Sequence, residues 1–370
     1  MTTVTAAATA CLRLQMVQGI GSIIGRRLID AAGSAERLWH MGASRWQEIE
    51  GVGERLVTAL QHAAQQDLTP TLAKCHAHEI FLLGIDDPLY PPLLASCDDA
   101  PLLLFGRGDP AALSQPRMLA VVGARRASRE GVTITRRWTE SWSQQQIAIV
   151  SGMAPGIDSG AHSGSLKGGC GGVAVLGYGL LTANEIQQRQ IDAICAHGGA
   201  VISEFMPTTR AQAPFFPRRN RIIAGLTQAT VVIEATLRSG SLITAHRALN
   251  YGRELFAVPG GVLVESHRGC HQLIQRGEAL LTESPQQVME QLGWQRTTAT
   301  TTEEVAITDP VEQQIYQLLA TEILHIDAIA EGSNLTVAHL APALLALEMR
   351  GIIERLPGSR YTLTTPTRHN

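Results

Sequence analysis

The segment from Phe216 to Leu226, Phe-Pro-Arg-Arg-Asn-Arg-Ile-Ile-Ala-Gly-Leu, constrains this chain more than any other. It places three arginines within four positions, before an apolar stretch that Pro217 can open as a helix. Guanidinium groups held on a rigid element suit recognition of phosphate. A buried-type apolar run follows at Val231–Ala235, and a small-residue loop at Ser239–Ser241 leads into another helix. The two segments together predict a phosphate-binding surface on a parallel sheet, and therefore a nucleotide or nucleic-acid ligand.

Length and charge narrow the class of protein. With 370 residues the chain is long enough for two or three domains, and 45% apolar residues supply a full core. The formal net charge is −3, and 17% of the residues are charged. This balance argues against a histone-like protein that coats DNA indiscriminately, but it permits a local basic patch.

Cysteine usage points to a reducing compartment and gives no metal site. No pair has C-x-x-C spacing, and no His/Cys cluster has the spacing of zinc ligands. Scattered single cysteines suit the cytosol. The N-terminus lacks the basic-then-apolar pattern of a signal peptide, and no apolar run reaches the roughly 18 residues of a membrane span. We therefore expect a cytoplasmic protein with no metal, no cofactor and no membrane partner. The six cysteines are Cys11, Cys75, Cys97, Cys170, Cys195 and Cys270.

The N-terminal part, residues 1–78, is predicted to be a helical domain. Two similar turns, Val17–Gly21 and Ile49–Gly53, each read apolar-x-Gly-apolar-Gly before a helix. This pattern is similar to the helix-hairpin-helix (SAM-like) motif, whose glycines let backbone N–H groups approach a DNA phosphate. Tight turns within a small helical bundle would give the same pattern, and few basic residues lie nearby. Both interpretations stay open.

Residues 79–292 are predicted to form a Rossmann-like domain, with a turn-rich connector at 79–110. From about residue 116, short apolar runs alternate with helical stretches, as expected for right-handed βαβ units around a parallel sheet. Ligands of such sheets bind beyond the carboxyl ends of the strands. The runs are Leu119–Gly123, Ile147–Gly152, Val173–Gly177, Ala200–Glu204, Thr230–Ala235 and Leu255–Pro259.

The C-terminal part combines a linker and a small third domain. Residues 293–308 are rich in Thr and Glu and are predicted to be the linker. In residues 309–370, three helical segments, the last being Leu340–Arg350, precede a hairpin pattern, which suggests a winged helix. Contact with DNA, contact with protein and an inert role all remain open for this domain.

Two strand ends carry chemistry-bearing residues with more than one interpretation. After the first run, Gly123 permits a tight turn, Arg125 or Arg126 can reach an anion, and Ser128 is expected to cap the following helix. An ordinary strand-to-helix turn with solvated arginines would give the same pattern. After the second run, Asp158 and His162 lie four residues apart and would share one helix face. They read either as an acid–base pair or as a structural aspartate that caps the helix and bonds to a neighbouring histidine.

Signs of catalysis are weak. The Gly177-Tyr178-Gly179 segment lacks the third glycine of the dinucleotide fingerprint, so NAD binding is not expected. The chain has no Walker A lysine motif, no H-E-x-x-H and no Ser-His-Asp order. Glu204 and Glu234 come at or near strand ends without an evident partner. We therefore expect a binding protein, not an enzyme.

Five segments together resemble the bacterial DNA-processing protein A family (DprA, also called Smf). The resemblance covers roughly residues 80–290, and the flanking domains fit in order and size. The combination is specific, whereas no single segment would be. The segments are Val121–Arg125, Ser151–Asp158, Phe216–Leu226, Ser239–Ala245 and Gly252–Gly260.

The resemblance implies a homodimeric, single-stranded DNA-binding protein that protects incoming DNA during natural transformation and loads the RecA recombinase onto it. It implies dimerisation through the Rossmann-like domain and a basic DNA pocket at the strand ends. The matching motifs, with the rest of the arginine segment and the adjoining helix start, give the expected DNA contacts: Gly123, Arg125, Phe216, Arg218, Arg219, Asn220, Arg221, Ser239, Gly240 and Ser241.

The chain departs from the family pattern at two places. Pro155 stands where the family usually has Arg or Lys, and Leu181–Glu185 replaces a Tyr-Pro and basic stretch. Both changes remove positive charge, and Glu185 is expected near the pocket rim, so weaker DNA binding than in other members is expected. Two alternatives remain: a scaffold with a vestigial pocket, and a nucleotide-hydrolysing enzyme, because Pro259–Gly261 starts the Pro-Gly-Gly-x-Gly-Thr loop of nucleoside monophosphate phosphoribohydrolases.

Overall fold

The computed structural model describes residues 4–294, 309–319, 323–333, 335–349, 352–356 and 358–363. These residues belong to two compact units that divide at residue 296. The predicted linker, 293–308, lies outside the described residues from position 295 onward. Within the described ranges, no helix is both long and apolar enough to cross a membrane.

Six helices precede the first strand. Leu12 and Leu14 of the first helix are fully buried in the same apolar cluster as Leu103 and Leu104 of the sheet. The helical segment is thus packed on the sheet within one unit, and the expected boundary at residue 78 stays a prediction. The helices are α1 (Ala6–Gln15), α2 (Ser22–Ala32), α3 (Ala35–Leu38), α4 (Ala43–Gln47), α5 (Glu54–Ala64) and α6 (Thr69–Ala77).

Each of the two glycine turns leads into a helix, as predicted. Gly19 and Gly51 have φ of 94° and 88°, a region that favours glycine, and α2 and α5 begin directly after Gly21 and Gly53. A Cβ at Gly19 would lie 3.1 Å from Leu56 of α5, and one at Gly51 would lie 3.9 Å from Ile24 of α2. Each turn therefore packs against the helix that follows the other, which favours the structural interpretation of the pair.

Alternating strands and helices build the central sheet. The strands are β1 (Phe81–Gly84), β2 (Leu103–Gly108), β3 (Met118–Val122), β4 (Ala148–Ser151), β5 (Val173–Leu176), β6 (Ala200–Ser203), β7 (Ala229–Val232), β8 (Glu254–Ala257) and β9 (Leu280–Leu281). The helices are α7 (Pro92–Ala95), α8 (Arg129–Gln144), α9 (Ile157–Lys167), α10 (Glu185–Ala196), α11 (Phe215–Gly225), α12 (Ser241–Asn250), α13 (Arg268–Gln275) and α14 (Pro285–Gln291).

The sheet has the order β1-β2-β6-β5-β4-β3-β7-β8-β9. The strands from β6 to β9 run parallel, and β2 joins β6 antiparallel and carries β1. The Rossmann-like parallel sheet is confirmed, and the six predicted runs correspond to β3–β8. The prediction that residues 79–110 are only a turn-rich connector is wrong. This stretch contains β1 and β2, two short, largely buried strands among turn residues.

The strand order creates a crevice next to β3. The chain moves from β3 through β4 and β5 to β6, and then returns to place β7 on the other side of β3. At such a switch point the connections diverge and leave a gap beyond the carboxyl ends of the two strands. Along β3, Leu119 and Val121 pack with Trp142 of α8, whereas Ala120 and Val122 join Ile222 and Ile223 of α11. Helices α8 and α11 thus cover the two faces of the sheet at β3, so the crevice opens at the carboxyl ends of the strands.

The second unit has the three helices and small sheet of a winged helix. It contains α15 (Pro310–Leu319), β10 (Leu324–His325), α16 (Ile326–Ser333), α17 (Val337–Met349), β11 (Ile353–Leu356) and β12 (Arg360–Leu363). The strands pair antiparallel in the order β10-β12-β11. Ile315, Ile329 and Leu340 form the centre of its core. The third helix starts at Val337, three residues before the predicted start, and contains Pro342.

Candidate nucleic-acid interface

A pocket of about 360 Å³ occupies the crevice at the carboxyl ends of β3 and β7. We call it the strand-end pocket. The turn after β3, the turn before α9, the first turns of α11 and the loop before α12 form its walls. Its lining is Val122, Gly123, Ala124, Arg125, Arg126, Ala154, Asp158, Phe216, Pro217, Arg219, Asn220, Ile223, Thr236, Ser239, Gly240, Ser241, Thr244 and Ser266.

Arg219 forms the buried base of this pocket. Its side chain extends from α11 across the sheet edge, where Nη1 donates to the Gly152 carbonyl at 2.6 Å and also to the Val175 carbonyl. Gly152 leaves room for this guanidinium, since a Cβ there would lie 2.6 Å from Arg219 Cζ and would displace it. Arg219 is only 3% exposed, and burial lowers its pKa to about 10, an effect that the Asp158 carboxylate opposes. The guanidinium therefore stays charged at neutral pH.

Arg125 supplies an exposed cation on the pocket wall. It follows β3, and its guanidinium lies over the Phe216 ring with 4.9 Å between Cζ and the ring centroid. Gly123 permits this turn, because a Cβ there would lie 2.6 Å from Ile157 Cγ1. Phe216 is half-buried, and the Arg125 guanidinium covers one face of its ring.

The opposite wall is the start of α12. Asn220 Nδ2 donates to the Gly240 carbonyl at 3.1 Å, which fixes α11 to this start. Gly240 precedes the helix without a side-chain cap, and the Ser239 and Ser241 hydroxyls lie 2.7 Å apart. The first N–H groups of a helix carry partial positive charge and attract anions. The pocket thus combines a buried cation, Arg219, two exposed cations, Arg125 and Arg126, and a helix N-terminus.

The three arginines of the Phe216–Leu226 segment do not lie on one face of their helix. Phe215 opens α11, so the arginines lie inside a helix in which successive residues rotate by about 100°. Arg218 and Arg221, three residues apart, share one face, and Arg219 lies on another. Arg218 Nη2 and Arg221 Nη2 both donate to Glu204 Oε2, at 2.9 and 2.7 Å.

Glu204 and Glu234 have partners that the sequence did not reveal. Arg221 is 5% and Glu204 is 2% exposed, so their ion pair is buried. Arg218 is half-exposed above the Phe205 ring, outside the strand-end pocket. The Glu234 carboxylate accepts two hydrogen bonds from Ser128, one from the backbone N–H at 3.0 Å and one from the hydroxyl. Glu234 therefore fixes the turn after β3.

Ser128 caps α8 as predicted, whereas the two interpretations offered for Asp158 and His162 are not met. Ser128 accepts from the Gly131 N–H at 2.9 Å. Asp158 Oδ2 accepts from the N–H groups of Gly152 and Ala154, and within residues 4–294 no hydrogen bond joins it to His162. Burial raises the pKa of Asp158 and lowers that of His162 to about 4, and Arg219 also lowers the latter. A neutral buried histidine beside a bonded aspartate does not favour the acid–base interpretation.

The two departures from the family pattern lie outside the pocket lining in the part of the chain that the structure describes. Pro155 is exposed in the turn before α9. Glu185 opens α10, where Asn184 and Gln187 form a capping box and a carboxylate complements the helix dipole. Among the described residues, no cluster of three His, Cys, Asp or Glu side chains could hold a metal ion, and all six cysteines are free thiols.

Removal of Glu204 should destabilise the protein far more than removal of Arg218. Glu204→Ala leaves the buried Arg221 without its close partner, which costs about 3–5 kcal/mol. Arg218→Ala breaks a half-exposed pair and should cost below about 1 kcal/mol. Urea unfolding curves of both variants measure these differences. Similar small losses in both variants would contradict a structural role for the Arg221–Glu204 pair.

Stability should also depend on His162 in the acid range. Because the pKa of His162 falls from 6.5 to about 4 on folding, the unfolded chain binds more protons between these pH values. The free energy of unfolding therefore decreases as pH falls through this window, by about 3 kcal/mol from this group. His162→Gln removes this contribution. Asp158 has a raised pKa, so its own effect on the unfolding free energy has the opposite pH dependence, but this effect is present in both the wild type and the variant. The unfolding free energy of the wild type relative to His162→Gln should drop between neutral pH and pH 4, and a constant difference would contradict the assignment.

Comparisons with known proteins agree with this architecture. A family model for DNA recombination-mediator protein A matches residues 81–293, and one for the DprA winged helix domain matches residues 297–359. Protein Smf of Escherichia coli is 34% identical over 355 residues, which cover 94% of each chain. DNA processing protein DprA of Streptococcus pneumoniae is 40% identical over 199 residues, 54% of this chain and 70% of the relative.

Two solved structures share the fold. The X-ray structure of DNA processing protein A from Streptococcus pneumoniae has a TM-score of 0.66 and 31% identity, and covers 78% of this chain and 98% of that chain. The Helicobacter pylori protein, whose structure was described for its single-stranded DNA binding mode, has a TM-score of 0.51 and 23% identity, and covers 57% of this chain and 95% of that chain. The first family model spans more than half of this chain. This chain therefore belongs to the DNA recombination-mediator protein A family, DprA/Smf.

Proposed function

We propose that this protein binds single-stranded DNA in the strand-end pocket and acts as a recombination mediator by binding, not by catalysis. The observation that carries the proposal is the convergence of Arg219, Arg125 and the α12 N-terminus on one crevice. Each feature favours an anion, and together they fit the phosphates of a strand. The whole chain has a net charge of −3, so the attraction is local to this pocket.

The expected DNA contacts fall into two groups. Gly123, Arg125, Phe216, Arg219, Asn220, Ser239, Gly240 and Ser241 line the pocket, and we propose them as the binding residues. Arg218 and Arg221 are paired with Glu204 on the other face of α11. We propose that Arg221 supports binding only by stabilising α11, and that Arg218 contributes at most a peripheral charge.

The family relationship supports three further parts of the proposal. We propose that the bound strand is handed to the RecA recombinase, and that this occurs on incoming DNA in natural transformation. We also propose a cytoplasmic location, which six free thiols support. Finally, we propose a homodimer formed through the Rossmann-like unit.

An anisotropy titration over a salt series tests the DNA site. Arg125 is the residue to change because it is exposed, whereas Arg219 holds two strand ends together and its loss would disturb the fold. Arg125→Ala should weaken binding of a labelled single strand and reduce the slope of log K against log salt by about 0.7 for each lost phosphate contact. Arg137→Ala is the matched control, since Arg137 is exposed on α8 and does not line the pocket.

The outcomes separate the possibilities. A lower affinity and a smaller salt slope in Arg125→Ala, but not in Arg137→Ala, support DNA binding in the strand-end pocket. Equal behaviour of the two variants would place the DNA site elsewhere. Tight binding of a duplex of the same sequence, with weak binding of the single strand, would contradict the proposed specificity.

The edge strand β9 offers a place for the dimer. Within the described residues β9 pairs only with β8, and its side chains Leu280 and Leu281 are 45% and 49% exposed. The outer side of β9 is thus an apolar sheet edge with free backbone groups, which favours association with another strand. Leu281→Lys should therefore convert a dimer into a monomer in light scattering, whereas Leu89→Lys, at an exposed site of similar size, should leave the mass unchanged. An unchanged dimer in Leu281→Lys would exclude β9 as the interface.

A further inference from the structure

Four large apolar side chains are exposed on the two loops that follow β7 and β8. Leu263 is 97% exposed, Val262 is 83% exposed, Val264 is 46% exposed and Leu237 is 44% exposed. We call these four residues the apolar rim. Single exposed apolar residues are ordinary, but four on two adjacent loops form a surface whose burial is favourable.

The apolar rim borders the strand-end pocket. The loop that carries Leu237 also supplies Thr236 and Ser239 to the pocket lining, and Ser266 lines the pocket three residues after Leu263. Strands β7 and β8 are parallel neighbours, so their following loops leave the sheet at the same edge. The rim therefore continues the pocket wall toward β8.

The loop after β8, which carries Val262 and Leu263, is fixed at its base, so its apolar tip is held outward. A Cβ at Gly260 would overlap the His267 ring, which packs directly against this glycine. His271 Nε2 lies 3.1 Å from the Gly260 carbonyl oxygen, and Val264 N–H donates to the Gly261 carbonyl at 2.9 Å. The segment that begins like a Pro-Gly-Gly phosphate loop thus continues as a turn that presents Val262 and Leu263.

Charge near the rim favours nucleic acid as the occupant. Arg238 is exposed on the loop after β7, and Arg268 is exposed at the start of α13, directly after the second loop. Arg126 lines the adjoining pocket, while Glu265 is the exposed acid of the second loop. Cations interspersed with apolar side chains match a strand that offers phosphates and flat, apolar base faces in alternation. Apolar side chains are used to contact or separate bases in other DNA complexes.

We propose that the apolar rim contacts the bases of the single strand whose phosphates occupy the strand-end pocket. This inference rests on the proposed function and adds a contact to bases, which phosphate binding alone does not supply. Leu263 at the tip makes the principal contact. Because such a contact involves base faces, it holds the strand without reading a particular sequence.

The test compares normal and abasic single strands with the full chain and three variants. Leu263→Ser should weaken binding of the normal strand by about fivefold, since apolar burial is lost, and should leave the salt slope unchanged. Leu263→Trp should bind at least as tightly as the wild type, because an aromatic ring stacks on bases. The abasic strand keeps the phosphates, so wild type and Leu263→Ser should bind it equally. Leu89→Ser is the control, an exposed leucine that follows β1 near the opposite edge of the sheet.

Several results would overturn the inference. Unchanged affinity in Leu263→Ser, or equal loss on normal and abasic strands, would exclude base contact by the rim. A change of molecular mass in Leu263→Ser with unaltered DNA affinity would identify a second copy of this chain as the occupant. Failure of the wild type to bind either strand would instead refute the proposed function, so the two failures are distinguishable.

Discussion

The buried guanidinium of Arg219 is the interaction on which the candidate site depends. Its side chain leaves α11 and donates to the carbonyls of Gly152, directly after β4, and of Val175 within β5, so it connects a helix to two neighbouring strands. Burial of a cation is costly unless hydrogen bonds and an opposite charge compensate it. Here the strand-end carbonyls and the nearby Asp158 carboxylate supply this compensation, and the charge remains at the base of an open crevice.

Because the arginine segment is helical, its arginines have two different roles. Arg219 contributes to the pocket, while Arg218 and Arg221 share Glu204 on another face of α11. A chain with a net charge of −3 can still hold a local cationic crevice, because Arg125, Arg126 and Arg219 line it together at one edge of the sheet. Exposed Arg125 and the α12 N-terminus then provide the attraction that a mobile polyanion can reach.

The sequence predicted the parallel sheet because each strand from β3 to β8 is a continuous apolar run that ends in small residues. It missed β1 and β2, since short runs among Asp and Pro residues look like turns. It placed Arg125, Asn220 and Gly240 at one site, because strand ends of a parallel sheet meet at one edge. It did not find the Arg221–Glu204 pair, since a strand-end acid and a helix arginine 17 residues apart show no shared pattern. The Asp158–His162 spacing was also misleading, because Asp158 bonds to backbone amides instead.

Ultraviolet crosslinking of a bound single strand, followed by mass spectrometry of the attached peptides, tests the central claim most directly. Binding in the strand-end pocket predicts crosslinks in the turn after β3, the first turns of α11 and the loops after β7 and β8. Crosslinks confined to the helices before β1 or to the winged-helix unit would contradict it.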